Sequence, residues 1–172
     1  EVTSEHGVIC SPHPKATQAG LDILNQGGTA IDAMISAGST LSVIYPHMCG
    51  IGGDAIWLVD DGQIQTITGI GQAGSTLPAG NKITERGPAS CATTAGAIKS
   101  WEIALELSKQ WGSNIELPTL LNQAISYAKN GVELSASQYY WQKKRKALIN
   151  TLPDLKALCS SKNGNFSKKG GL

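Results

Sequence analysis

Two glycine-rich segments are the first places in this sequence where backbone amides could meet a ligand. Gly69-Ile70-Gly71-Gln72-Ala73-Gly74 has the spacing G-x-G-x-x-G. In dinucleotide-binding proteins that spacing joins a strand to a helix whose N-terminal amides hold a pyrophosphate. A strand is expected before it, but Pro78 and Gly80 would break the first turns of the required helix. No acidic residue closes a second strand at the needed distance, so the nucleotide assignment fails. The second segment, Gly50-Ile51-Gly52-Gly53-Asp54, lacks the Gly-Lys-Ser/Thr ending of a phosphate-binding loop. It is either a tight turn that lets backbone come close to something or a source of amides beside a reacting group. Asp54 is either a buried hydrogen-bonding acid or an exposed loop residue, and the sequence leaves both open.

Nucleophiles fare no better. His47 follows Pro46 near the glycine loop and is an acid–base candidate. No Ser or Cys nucleophile motif accompanies it, so a packing or capping role is expected. The sequence holds neither a Gly-x-Ser-x-Gly elbow nor a His-Glu-x-x-His pair. Thr93-Thr94 is worth considering, but a threonine hydroxyl needs a base, and the known device is its own free N-terminal amine. Both threonines are internal, which points to loop or helix-cap residues. Cys10, Cys49, Cys91 and Cys159 are widely spaced and form no metal-ligand pattern. They read as free thiols and lean weakly towards a reducing, cytoplasmic compartment. No catalytic centre, metal or cofactor is expected from this chain alone.

The elements that must position these residues follow from periodicity. With 172 residues and an apolar fraction of 41%, the chain is long and hydrophobic enough for a core of its own. Its net charge of +1 gives no reason to expect nucleic acid or an anionic membrane as partner. The longest apolar helical candidate, from Thr29 to Tyr45, is interrupted by Asp32, Ser36, Ser39 and Ser42 and is no membrane span. The first residues, Glu1 to His6, do not look like a signal peptide.

Val8 to Ser11 reads as a short buried strand. Pro14 opens a helix with the stripe Ala16, Ala19, Gly20, Ile23 and Leu24, stopped by Gly27-Gly28. Thr29 and Asp32 form a capping box for the next helix, whose stripe is Ile31, Met34, Ile35, Gly38 and Leu41. Ile56 to Val59 and Gln63 to Thr68 make a hairpin around Asp60-Asp61-Gly62. Gly69 to Ser90 is expected as loop.

Further on, Ile98, Trp101, Ala104, Leu105 and Ser108 share a helical face. Pro118 opens a helix carrying Leu117, Leu120, Leu121, Ala124, Ile125 and Ala128, closed by Asn130-Gly131. Ser135 and Gln138 start a third, and its Lys143-Lys144-Arg145-Lys146 run reads as a solvated face. The expected organisation of 1–172 is a single partial domain. It comprises a strand-helix-helix-hairpin unit (1–68), a loop (69–92), a helical part (93–159) and a polar tail (160–172).

This ordered series resembles the γ-glutamyltranspeptidase-like family. The carrying residues are Pro14 to Thr17, Ala19 to Leu24 with Gly27-Gly28, Ala30-Ile31-Asp32-Ala33, Pro46-His47, Gly50 to Gly53 and the strand to Asp60. Weaker matches follow at Gly96-Ala97, Trp101, Pro118, Gln123 to Ala128, Gly131 and Lys168-Lys169-Gly170. The resemblance implies an N-terminal-nucleophile hydrolase, an α/β fold built as a four-layer αββα sandwich. This chain would be part of the large subunit, and the family's large subunit continues beyond it. The attacking Thr would begin a small subunit cut from the same precursor and would cleave a small-molecule amide.

By alignment with the family's substrate-binding segment, Gly71 and Gln72 become the candidate substrate-binding residues, with no catalytic residue in this chain. One departure concerns the donor. γ-Glutamyltranspeptidases carry an Arg for the donor α-carboxylate in the segment aligned with Thr68 to Gly74, where this chain has Ile70 and no Arg. An apolar side chain does not replace a forked, charge-assisted contact. The run Pro46-His47-Met48, with Gly52-Gly53-Asp54 leading into Ile56-Trp57-Leu58, is closer to the branch that contains oxamate amidohydrolase. A catalytically inactive relative acting as a binding module is the alternative from another class.

Overall fold

The computed structural model describes residues 2–74, 83–87, 90 and 93–160. The expectations placed on Pro78, Gly80, Cys91 and the tail from residue 161 onwards lie outside the described residues.

The chain opens with a small hairpin, β1 (Val2–Ser4) paired antiparallel to β2 (Gly7–Ile9). The single strand expected from Val8 to Ser11 is therefore shorter, and it is not buried on both faces. Ile9 enters the core while Val8 is 61% exposed, the alternation of a one-sided strand. Helix α1 (Pro14–Asn25) begins at Pro14 as expected. Its cap is His13, whose Nδ1 accepts the Lys15 amide at 3.2 Å. Gly27, at φ +84°, ends it.

Helix α2 (Ala30–Ile44) carries the expected capping box: Thr29 Oγ1 accepts from the Asp32 amide, and Asp32 Oδ2 accepts from the Thr29 amide. The buried face is wider than the expected stripe. Ile31 and Ile35 are buried, but so are Asp32, Ala33, Ser36, Ala37 and Thr40, whereas Met34 is half exposed. The small residues are needed because α1 lies close: a Cβ on Gly20 would stand 2.9 Å from the Ala33 carbonyl oxygen.

A three-stranded antiparallel sheet follows, in the order β3 (Ala55–Asp60), β4 (Ile64–Ala73), β5 (Thr93–Ala95). The β3–β4 turn uses Gly62 at φ +100° and is tied by Asp60 Oδ1, which accepts from the Gly62 amide at 2.9 Å. Two expectations are corrected here. The loop expected from Gly69 starts later, because β4 continues to Ala73. Thr93-Thr94 is neither loop nor helix cap, because it forms β5, pairing Ala73 with Thr93 and Ile70 with Ala95. The pairing partner lies some twenty residues away, and local composition cannot announce it.

Helix α3 (Ala97–Gln110) lies on one face of this sheet. It turns Ala97, Ser100, Ala104 and Ser108 inward, leaving Ile98 half exposed, so the buried stripe is rotated towards small side chains. Trp57 of β3 donates its indole N–H to Ser100 Oγ at 2.9 Å. Val59 and Ile67 complete a core shared with Ile23, Leu24, Ile31, Ile35 and Leu120. Helix α4 (Leu117–Asn130) begins with Pro118 in its first turn and ends at Gly131, φ +79°. It buries only Leu120 and Ala124 of its six-residue stripe.

Ser135 caps α5 (Ala136–Lys144), and α6 (Lys146–Asn150) and α7 (Pro153–Cys159) complete the described chain. The basic run is split at Arg145, which stacks 4.5 Å from the Trp141 ring centre, so the four cations do not share one helix face.

The side chain that joins these parts is Asp32, which has no solvent exposure. Its Oδ1 accepts from Ser108 Oγ at 2.7 Å, and its Oδ2 accepts from Ser113 Oγ at 2.6 Å and from the Thr29 amide at 3.0 Å. Since the Ser108 hydrogen goes to Asp32, the Thr29 hydroxyl donates to Ser108. Replacing Asp32 with Ala removes a cap and strands one buried and one half-buried hydroxyl, which is expected to cost about 3 kcal/mol. Asp32→Asn keeps one acceptor oxygen and is expected to cost roughly half as much. Denaturant midpoints of the two variants check the ranking, and equal midpoints would contradict it.

Candidate functional site

The glycine loop, the end of β4 and the start of β5 converge at one end of the three-stranded sheet. Ala55 pairs with Gly69, so Asp54 and Ile70 are the next residues on their strands at this rim. The Gly53 carbonyl accepts from the Gly96 amide at 3.1 Å and from the Ala97 amide at 3.0 Å. Those amides belong to the N-terminus of α3. The loop approaches the start of α3 through this carbonyl, although a Cβ on Gly50, Gly52 or Gly53 would meet nothing within 4 Å. Its carbonyl takes the helix-end donors that an anion would otherwise use.

The G-x-G spacing has a packing explanation. The segment from Thr94 to Gly96 crosses β4 at close range. A Cβ on Gly69 would lie 2.6 Å from Ser100 Cβ and 2.8 Å from the Gly96 oxygen, and one on Gly71 would collide with the Thr94 carbonyl. Gly71 is half-buried under this crossing, and Gln72 is exposed beside it. Asp54 is exposed, which resolves its two alternatives, and both of its carboxylate oxygens lie 3.4 Å from Thr93 Oγ1. The rim therefore brings together Gly71, Gln72, Ile70, Asp54 and Thr93. Sequence spacing alone missed the Asp54–Thr93 contact, because the two residues are 39 positions apart.

His47 lies outside this group. Its ring packs 4.2 Å from Tyr45, and Nε2 stands 2.9 Å from Ser137 Oγ on α5. The distance suits a nucleophile–base pair, but the other members are missing. Nδ1 is buried without a hydrogen-bond partner among the described residues, so nothing orients the imidazole. The Tyr45 hydroxyl also donates to Ser137 Oγ, at 3.3 Å, so Ser137 is shared between the two rings. His47 is a packing residue that ties the glycine-loop approach to α5. Cys49 is equally unsuited to attack, because burial raises its pKa and keeps the thiol protonated.

Two measurements follow. Gly71→Ala is expected to abolish the β4–β5 crossing, seen as faster amide hydrogen exchange at Ile70 and Ala95 with the α1–α2 amides unchanged. Burial, then Arg145, holds His47 below the ordinary imidazole value of 6.5. His13 is lowered in the same direction by burial and then by Lys15. The unfolded chain thus takes up protons at a higher pH than the folded one. Stability is full above about pH 6.5 and falls as pH drops towards the folded-state values. His47→Gln is expected to flatten part of that slope in pH-dependent denaturation, His13 supplying the rest.

Comparison with known proteins places this geometry. The γ-glutamyltranspeptidase family model matches residues 16–172. The oxamate amidohydrolase proenzyme of Klebsiella pneumoniae subsp. pneumoniae is 42% identical over 143 residues, covering 78% of this chain and 27% of the relative. The glutathione hydrolase-like YwrD proenzyme of Bacillus subtilis is 34% identical over 154 residues, covering 85% and 29%. The chain thus spans less than a third of the length of these curated relatives. The crystal structure of Helicobacter pylori γ-glutamyltranspeptidase superposes with a TM-score of 0.85 over 100% of this chain and 51% of that one, at 23% identity, which speaks for the mixed helix-and-sheet fold alone. With its family model matched from residue 16 to 172, the chain belongs to the γ-glutamyltranspeptidase family.

Proposed function

We propose that this chain is the large-subunit part of an autoprocessed amide hydrolase, with the attacking Thr supplied by a small subunit from the same precursor. The observation that carries this is the outer face of the sheet. Ile56, Leu58 and Ile64 are each more than 70% exposed there, opposite the face that α3 covers. Leaving three such side chains in water forgoes about 2 kcal/mol apiece. A second sheet laid on that face would recover it and would complete a four-layer αββα sandwich. The described residues also hold no nucleophile with an oriented base, which fits a reactive group supplied from elsewhere.

In this reading Gly71 and Gln72 form one wall of the pocket, and the acyl-enzyme formed on the partner's Thr is resolved by water or an acceptor amine. The donor is a small amide of the oxamate kind rather than a γ-glutamyl amide. Ile70 offers no fork for an α-carboxylate, and the oxamate amidohydrolase proenzyme is a relative at 42% identity. Intact-mass analysis and N-terminal sequencing of the native protein are expected to reveal a second fragment beginning with Thr. That two-part protein is expected to hydrolyse oxamate and to leave a γ-glutamyl anilide nearly untouched. An uncleaved protein without a Thr-initiated partner would instead favour the inactive binding module. Efficient turnover of the anilide with oxamate ignored would refute the donor assignment.

A further inference from the structure

We infer that Asp54 is the donor-selecting group of this rim, accepting a hydrogen bond from an N–H-bearing end of the substrate and excluding a carboxylate from the same corner. The inference rests on the proposed amide-hydrolase function and narrows its substrate class. The three backbone segments that meet at the rim are residues 50–54, 69–74 and 93–97. Asp54 is the one charged side chain in them. A carboxylate offers about four acceptor directions. Among the described residues the Thr93 hydroxyl meets this one, at 3.4 Å to each oxygen, a long and divided contact that leaves most of the acceptor capacity unused.

The backbone on either side of Asp54 is held although the side chain is exposed. The preceding residue, Gly53, is held by two amides of α3, and the following one, Ala55, is paired with Gly69. Ile70, 46% exposed, stands at the adjacent strand position and brings no charge of its own. An anion beside an uncharged wall attracts ammonium or amide N–H groups and repels carboxylates. For a small donor such as a primary amide, the NH2 end is then directed to Asp54 and any carboxylate must point away from it.

The test uses the processed two-part protein with Asp54→Asn and Asp54→Ala, each checked for retained self-cleavage and an unchanged circular dichroism spectrum. Calorimetry would measure malonamide, glycinamide and malonate as probes, giving a neutral amide, a cation and a dianion. Asp54→Ala is expected to weaken malonamide or glycinamide about tenfold, one charge-assisted hydrogen bond, and to strengthen malonate. Asp54→Asn separates the two N–H sources. Retained malonamide binding identifies a neutral amide, and selective loss of glycinamide identifies an ammonium. An amide-to-malonate affinity ratio that neither variant moves overturns the inference. Because the readout is binding, it decides the role of Asp54 even if the wild-type protein hydrolyses none of the amides offered, a result that would defeat the proposed function instead.

Discussion

A buried carboxylate, Asp32, sets the geometry on which the rest of the structure depends. Taking an ionised group fully out of water is costly unless donors surround it. Here a backbone amide and two serine hydroxyls do so, and those serines lie 76 and 81 positions away in sequence. The start of α2 is thereby bonded to the end of α3. At its other end α3 is bonded through Gly96 and Ala97 to the carbonyl of Gly53, at the entrance to β3. The helix acts as a strut with both ends tied, one to the helical layer and one to the rim. Where the rim sits relative to α1 and α2 is then set by these hydrogen bonds together with the apolar core that Val59 and Ile67 share with the helices.

That arrangement explains what was legible in the sequence. Features closed within four residues were readable: the Thr29–Asp32 box, Pro14 and Pro118 in first turns, the Asp-Gly turn, Gly131 as a stop, and Ser135 as a cap. Each is a local choice between backbone conformations, and the residue type decides it. Features that need a distant partner were not. β4 runs on to Ala73 because β5 arrives beside it, and β5 exists because β4 is there. On α2 and α3 the expected stripes hold at Ile31, Ile35, Ala104 and Ser108, but close approach to α1 and to Gly69 extends the buried faces to further small and even polar residues. Met34 and Ile98 are left outside although they are the more apolar choices.

The candidate site divides along the same line. Gly71 and Gln72 were identified through resemblance, and the structure places both at the rim. Why glycines recur at 69 and 71 required the structure, since a G-x-G pattern has the same appearance whether it holds a phosphate or lets another strand cross. Here the crossing chain occupies the space and Gly53 occupies the helix amides. The spacing that looked most like chemistry is therefore a packing device. Asp54, ambiguous as a residue type, acquires a meaning only from its neighbours Ile70 and Thr93.

In the proposed reading, the charge of that corner bears on donor specificity more than the loss of a favourable contact alone would. Where a γ-glutamyl enzyme places a guanidinium, an uncharged Ile70 forgoes the charge-assisted hydrogen bonds to a donor carboxylate, each worth about 2 kcal/mol. Loss of attraction merely weakens such donors, and a tight-binding remainder of the pocket could compensate. Asp54 at the adjacent strand position changes the sign of the interaction, and no improvement elsewhere removes a repulsion that the bound donor must still experience. Discrimination built from one missing attraction and one added repulsion persists as the pocket gains affinity. In the proposed reading, an anion beside an apolar neighbour redirects the scaffold from donors that place a carboxylate in this corner to donors that place an amide N–H there, while leaving the strands, the crossing and the α3 strut unaltered.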